Sequence, residues 1–382
     1  MKIARIEISN FRLLKDFTLD LEDELSLVIG KNNTGKTSVL ACLEKLVIQS
    51  DGRHVTYEDF NVELRSLLEN ILLGEKEIGA EEDYVPLGIE LRILVTYGEL
   101  DNLSKISPLI MSLDPEDNNI VLSFEYRISF GKLNELKNNY IEEAERFGNR
   151  PGLFLKENLG KYFGPIVKKS LLYSDDKQFI DLNKEKINLK DILSIQFISA
   201  KRNVTNRKDD KTLSNQTSNL YRQVDESEEQ QEAAENFKKE LRKTDDKLSG
   251  IYQQMFEGII GKVNRFGGIN PTDTEIKIAS TLQHRELLEG NTTVMYAHQN
   301  HDLPEHYNGL GYMNLISMIF EIEILMSRFR RSARETPSAI NLLFIEEPEA
   351  HTHPQMQYIF IKNIKELLKQ GRLREEDRKS VV

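Results

Sequence analysis

Gly30-Lys31-Asn32-Asn33-Thr34-Gly35-Lys36-Thr37-Ser38 decides how this chain is read. An apolar stretch with strand character, Leu25-Ser26-Leu27-Val28-Ile29, precedes it, and an apolar helical pattern from Thr37 to Ile48 follows. Strand, glycine-rich turn and helix form the context that a phosphate-binding P-loop requires. Glycines let the backbone curl until successive N–H groups face an anion at the positive end of a helix. In such a loop the Lys36 ammonium reaches the β- and γ-phosphates, and the Thr37 hydroxyl holds Mg2+. The stretch from Gly30 to Ser38 therefore predicts a bound nucleoside triphosphate, ATP or GTP, with its magnesium ion.

A second stretch completes the chemistry. The apolar strand pattern Asn341-Leu342-Leu343-Phe344-Ile345 runs directly into Glu346-Glu347-Pro348-Glu349. A strand of this kind buries its body in a parallel sheet and delivers carboxylates at its C-terminal edge, where ligands collect in open α/β sheets. This is the Walker B arrangement. Glu346 would hold Mg2+ directly or through water, and Glu347 would polarise the water that attacks the γ-phosphate. Between the two motifs, His306-Tyr307-Asn308-Gly309-Leu310-Gly311-Tyr312 opens an apolar helix at Met313. A glycine-rich helix start can face an anion, and it can also be an ordinary start capped by Asn308. Two anion sites in one chain make sense where the second serves a nucleotide held by a partner subunit.

Composition bounds the class. The 382 residues are 39% hydrophobic and 30% charged, without Trp, as in a globular protein of one large domain or two. No apolar run is long enough to span a bilayer, the N-terminus has no secretory pattern, and a cytoplasmic location is expected. The single cysteine, Cys42, lies in the apolar helix after the P-loop and reads as a small buried hydrophobe. A net charge of −11 argues against indiscriminate coating of nucleic acid. Arg328, Arg330, Arg331 and Arg334 form one local basic cluster, and Lys201, Arg202, Arg207 and Lys208 another. Each reads more readily as a solvated charged face than as a nucleic-acid contact.

Strand patterns are expected at Lys2–Ile8, Phe17–Leu21, Gly88–Thr96, Ile120–Phe130 and Ile192–Ile198. Helical ones are expected at Leu133–Phe147, Leu153–Phe163 and Met313–Leu325. Gly52–Asp83 reads as mixed and polar, and Asn203–Ser218 as a loop. Asp225–Met255 is densely charged, yet Phe237, Leu241, Leu248, Ile251 and Met255 recur at helical spacing. That stripe packs on its own domain or pairs with a second copy. Further strand patterns fall at Glu275–Thr281 and Thr292–Tyr296.

The order of these motifs resembles the ABC-type ATPases of the RecF, Rad50 and SMC group, beginning with Asn10-Phe11-Arg12. More narrowly, Glu346-Glu347-Pro348-Glu349-Ala350-His351-Thr352-His353-Pro354-Gln355 is similar to the acidic-histidine block of the OLD (overcoming lysogenization defect) family. That family includes the Gabija and retron-associated anti-phage nucleases. Phe197-Ile198-Ser199-Ala200-Lys201-Arg202 and Gly309-x-Gly311 are similar to OLD ATPase domains as well. The resemblance implies an α/β, ABC-type P-loop NTPase head, with an antiparallel lobe, a parallel sheet core and a helical insertion used for dimerisation. It assigns 1–202 to the half with the P-loop, 203–270 to the insertion, and 271–382 to the half with the signature and Walker B. It further implies heads that pair as a dimer or tetramer, Asn308, Gly309 and Gly311 acting in trans on ATP held by Lys36 and Thr37. Arg12 would contact the nucleotide, and His353 would sense the opposite subunit.

Two departures from the family pattern stand out. The signature lacks its usual serine, which implies slow or regulated hydrolysis. No TOPRIM nuclease motif occurs before Val382, and Asp209-Asp210 and Asp245-Asp246 lack the strand context of a nuclease site. The expected function is the ATPase domain of an OLD-type defence nuclease, reaching DNA through that nuclease module. The alternatives are an ATP-gated scaffold for a separate effector and a RecF-like repair ATPase. A helicase, a reverse transcriptase or an HNH nuclease is the partner class implied. A membrane partner is not expected.

Overall fold

The structure is a computed structural model. It describes residues 1–199 except 32–33, 50–53, 113 and 115–116. Beyond these it describes 213, 215–216, 236–237, 239–251, 254–255, 294–298, 301–307, 309–330, 337–350, 354, 357–358, 360–362 and 364. The chain divides into two compact units, Met1–Phe197 with Pro337–Glu346, and Ile198–Thr336 with Glu347–Val382.

The first unit is built on a six-stranded antiparallel sheet. Its strands are β1 (Lys2–Phe11), β2 (Leu14–Asp20), β3 (Leu87–Thr96), β4 (Asn119–Ile128), β5 (Val167–Leu172) and β6 (Asp175–Asp181), in the order β2-β1-β3-β4-β5-β6. Apolar residues at alternate positions made β3 and β4 legible: Ile89, Leu91, Ile93 and Val95 share a buried face with Ile120, Leu122, Phe124 and Tyr126. The opposite face is ionic. Glu90 and Glu125 are cross-strand partners, an arrangement that repels unless neutralised. Arg92 and Arg127 each reach Glu90 at 2.7 Å, and Lys169 reaches Glu125 at 2.8 Å, which removes the repulsion. Strands β5 and β6 escape the sequence pattern because Lys168, Lys169, Asp175, Asp176 and Lys177 give them a polar composition.

Helices α1 (Lys36–Leu43), α2 (Val62–Leu73), α3 (Phe130–Glu143) and α4 (Pro151–Tyr162) belong to this unit. Helix α1 packs against β1, and a five-residue π-helical turn, Glu44–Ile48, continues it onto β4. The α2 helix lies inside the stretch that reads as mixed and polar. Asn61 caps it, accepting from the Glu63 N–H at 3.0 Å, and Leu64, Leu68, Ile71 and Leu72 form its buried stripe. Phe60, Tyr126 and Phe163 stack at 5.1 to 6.2 Å between ring centres, closing the core near that cap.

A one-turn helix, α5 (Leu189–Ile192), leads into β7 (Leu193–Ile198), which pairs with β10 (Ile340–Ile345). The Ala339 N–H donates to Asp191, and the rings of Phe197 and Phe344 stack 5.4 Å apart. Both contacts advance together along the two strands, so the pair is parallel.

One expected strand does not form. Leu25–Ile29 has no ladder among the described residues, and Leu27 and Ile29 are 69% and 84% exposed. Apolar composition alone does not make a strand: the six-stranded sheet ends in edges at β2 and β6, and among the described residues Leu25–Ile29 pairs with neither.

The second unit contains the hairpin of β8 (Met295–His298) and β9 (His301–Pro304) and a 21-residue helix, α6 (Leu310–Arg330). Met313, Met318, Ile322 and Phe329 are buried along α6, and Gln216 donates to Ser317 at 2.8 Å. Residues 239–251 are helical, and Asp245 and Asp246 sit on that helix. Phe237, Ile251 and Met255 of the apolar stripe are exposed. The expected strand at 275–281, most of the expected loop 203–218 and the Lys201–Lys208 cluster lie outside the described residues, as do Arg331 and Arg334.

Candidate nucleotide site

Helix α1 starts where only glycine can precede it. Gly35 has φ 100, and a Cβ there would lie 2.7 Å from Cδ2 of Leu14. A Cβ on Gly30 would meet the Thr34 hydroxyl at 2.9 Å. The loop between these glycines closes on itself. Thr34 donates to the Lys31 carbonyl at 2.8 Å, and the Lys36 ammonium donates to the carbonyls of Gly30 and Lys31. The lysine side chain is thus folded back over the loop, at the helix end where partial positive charge gathers. Ser38 is on the buried side of α1, and Asn32 and Asn33 lie outside the described residues.

The Thr37 hydroxyl donates to Oε1 of Glu346 at 2.7 Å, joining residues 309 positions apart in sequence. Strand β10 makes this contact possible, because its pairing with β7 carries Glu346 to the strand end. A hydroxyl and a carboxylate oxygen facing each other are the donor types a hard divalent cation takes, with phosphate and water supplying the rest. The residues present therefore suit Mg2+. Among the described residues no group of three or more His, Cys, Asp or Glu side chains gathers into a metal site of its own. Glu347, next in the chain, is exposed, has φ 45, and accepts a hydrogen bond from the Ala350 N–H at 2.9 Å. A left-handed glutamate at a strand end is strained, a feature that clusters at functional sites.

Arg12 is held by a carboxylate. Its Nε and Nη2 lie 3.0 and 2.9 Å from Oδ1 of Asp59, an aspartate only 1% exposed. The Lys45 ammonium, the Thr56 N–H and the Thr56 hydroxyl all reach Oδ2 of the same carboxylate. Burial alone would raise the Asp59 carboxyl, but these donors bring it below the ordinary aspartate range. No motif pointed to Asp59, Lys45 or Leu14. The capping box that Thr56 and Asp59 form was the one visible signal. Cys42 is fully buried nearby, and burial pushes its thiol up, as suits a packing residue.

In the second unit Gly309 is exposed, and no described residue lies within 4 Å of where its Cβ would be. Its carbonyl accepts from the Met313 N–H at 3.1 Å as α6 begins, with Gly311 in the first turn. Asn308 and His353 lie outside the described residues. Among the described residues no helix is long and apolar enough to cross a membrane.

Against known proteins, the chain is 26% identical over 355 residues to Endonuclease GajA of Bacillus cereus (strain HuB5-5). The match takes in 90% of this chain and 48% of GajA, so the chain spans about half the length of that relative. This bears out the kinship with the Gabija group read from the block at 346–355. Residues 1–373 match the AAA ATPase domain. With the glycine-built loop, Lys36 folded over it and Thr37 on Glu346, that match places the chain in the AAA ATPase domain family.

Proposed function

We propose that this chain binds and hydrolyses ATP as the ATPase domain of an OLD-type anti-phage nuclease, its nucleotide state governing DNA cleavage by a TOPRIM module. The observation that carries this reading is the 2.7 Å contact between Thr37 and Glu346, which joins the P-loop to the acidic strand end. Lys36 and the N–H groups of the loop would bind the phosphates, while Thr37 and Glu346 would hold Mg2+. Bound there, Mg2+ would neutralise charge on the phosphate oxygens. Glu347 would take the proton of the attacking water. The similarity to GajA supports the nuclease connection and, with it, a cytoplasmic setting and a role in defence.

The finer architecture is an ABC-type head that pairs with a second copy. The exposure of Gly309 at the start of α6 supports a close approach by the phosphates held in a partner subunit, with Asn308 and Gly311 as its sequence neighbours in the signature. The exposed Phe237, Ile251 and Met255 support a helical dimerisation arm.

Two variants test the reading. Glu347→Gln is expected to slow ATP hydrolysis at least about a hundredfold while retaining ATP binding. Unchanged turnover would remove Glu347 from the mechanism. Lys36→Ala is expected to abolish binding of a fluorescent ATP analogue, and full affinity in that variant would overturn the nucleotide site itself.

A further inference from the structure

We propose that Asp59 is a positioning residue for nucleotide binding, clamping both ends of the P-loop helix through Lys45 and through the turn that carries Arg12. The inference rests on the nucleotide site proposed above and adds to it a residue that no motif marks.

Three segments distant in sequence meet at this carboxylate. The turn between β1 and β2 contributes Arg12, whose φ of 50 follows a left-handed Asn10 at φ 62. The π-helical turn at the far end of α1 contributes Lys45. A single 3-10 turn, Tyr57–Asp59, contributes the acid. Backbone bonds fix the first and third to each other: Arg12 N–H to the Asp59 carbonyl at 2.8 Å, and Asn61 N–H to the Asn10 carbonyl at 2.9 Å. The Asn61 side chain adds a bond to the Arg12 carbonyl at 2.7 Å.

The clamp reaches the loop through one side chain. Leu14, two residues after Arg12, packs where Gly35 leaves room, so displacing this turn displaces the support of the helix start. At the other end, Lys45 ties the π turn to the same carboxylate, and single π turns are frequent at functional sites. Removing one partner of a buried ion pair leaves a charge uncompensated. Here one carboxylate serves two cations, so neutralising it leaves both to find new positions. The side chain of Arg12 is about one third exposed, and its guanidinium would no longer be aimed.

The test uses the full chain. Asp59→Asn, Arg12→Ala, their double variant, Lys45→Met and Leu136→Ala are compared by thermal unfolding, ATP-analogue binding and steady-state hydrolysis. Leu136, fully buried in α3, serves as a destabilising control. A clamp predicts that Asp59→Asn raises the analogue's Kd and the KM for ATP about tenfold, with kcat nearly unchanged. It also predicts that the double variant costs little more than either single one. Lys45→Met raises KM as well and stands in if Asp59→Asn does not fold. If Asp59→Asn and Lys45→Met alter KM no more than Leu136→Ala at a matched loss of unfolding midpoint, the residues are structural only and the inference falls. A loss of binding confined to Lys36→Ala would spare the nucleotide site and sink only the clamp. Full binding in Lys36→Ala would sink both.

Discussion

The six-stranded sheet and the approach to the P-loop have similar apolar composition and opposite fates. In β3 and β4 the apolar face is buried throughout, and each strand has a neighbour on both sides. Leu25 to Ile29 carries the same residue types, yet Leu27, Val28 and Ile29 are exposed and no ladder forms among the described residues. The difference teaches that side-chain preference only permits a strand; hydrogen-bonded neighbours and a face to cover create one. It also separates stability from chemistry. Burial concentrates in the sheet, while the side chains proposed to bind the nucleotide occupy the loop and strand end where pairing stops.

Truncating the sheet core should produce the largest effect. Phe124→Ala removes a fully buried ring and is expected to cost about 3–5 kcal/mol in urea unfolding, with ATP affinity per folded molecule unchanged. A coupled loss of affinity would show that sheet and loop are not separable. Gly35→Ala should act in the reverse sense. Its left-handed backbone implies a strain of roughly 1–2 kcal/mol, and the overlap with Leu14 should disturb nucleotide binding more than stability.

Acid should sharpen the comparison further. The folded-state carboxyl of Asp59 lies below its unfolded value near 3.9, so its contribution is complete above that pH. The contribution is lost as the pH falls toward the lowered folded value. Chemical unfolding between about pH 5 and 2 should therefore show a shallower acid limb for Asp59→Asn than for the parent chain. Equal limbs would remove Asp59 from the set of carboxylates that favour the folded state. The smallest effect is expected at the exposed approach, where Ile29→Ser should change stability by no more than about 0.5 kcal/mol. A cost above about 2 kcal/mol would mean that this segment is buried in a ladder after all.

How much was legible depended on the range over which each feature is encoded. β1, β3, β4, β7 and β10 could be read because alternation or a short apolar run marks them locally. α2 was missed because its apolar stripe is diluted by Glu63, Arg65, Ser66, Glu69 and Asn70, while its cap, Asn61, makes its meaning clear only once the helix is seen. Lys36, Thr37 and Glu346 could be singled out from sequence because the expected phosphate and magnesium chemistry restricts both residue type and local context, and the structure brings Thr37 and Glu346 together. Asp59 was not, since a lone aspartate in a polar stretch carries no periodicity and its partners are 14 and 47 residues away.

By itself the sequence determined the glycine-built loop, the acidic strand end and the alternating sheet, each written in neighbouring residues and enforced by local sterics or pleat. Only the tertiary structure decided that Thr37 meets Glu346, that Leu25–Ile29 stays outside a ladder, and that Asp59 gathers Arg12 and Lys45. Those outcomes depend on which distant segments share an edge or a buried charge, and burial makes such pairings stringent without leaving a local pattern.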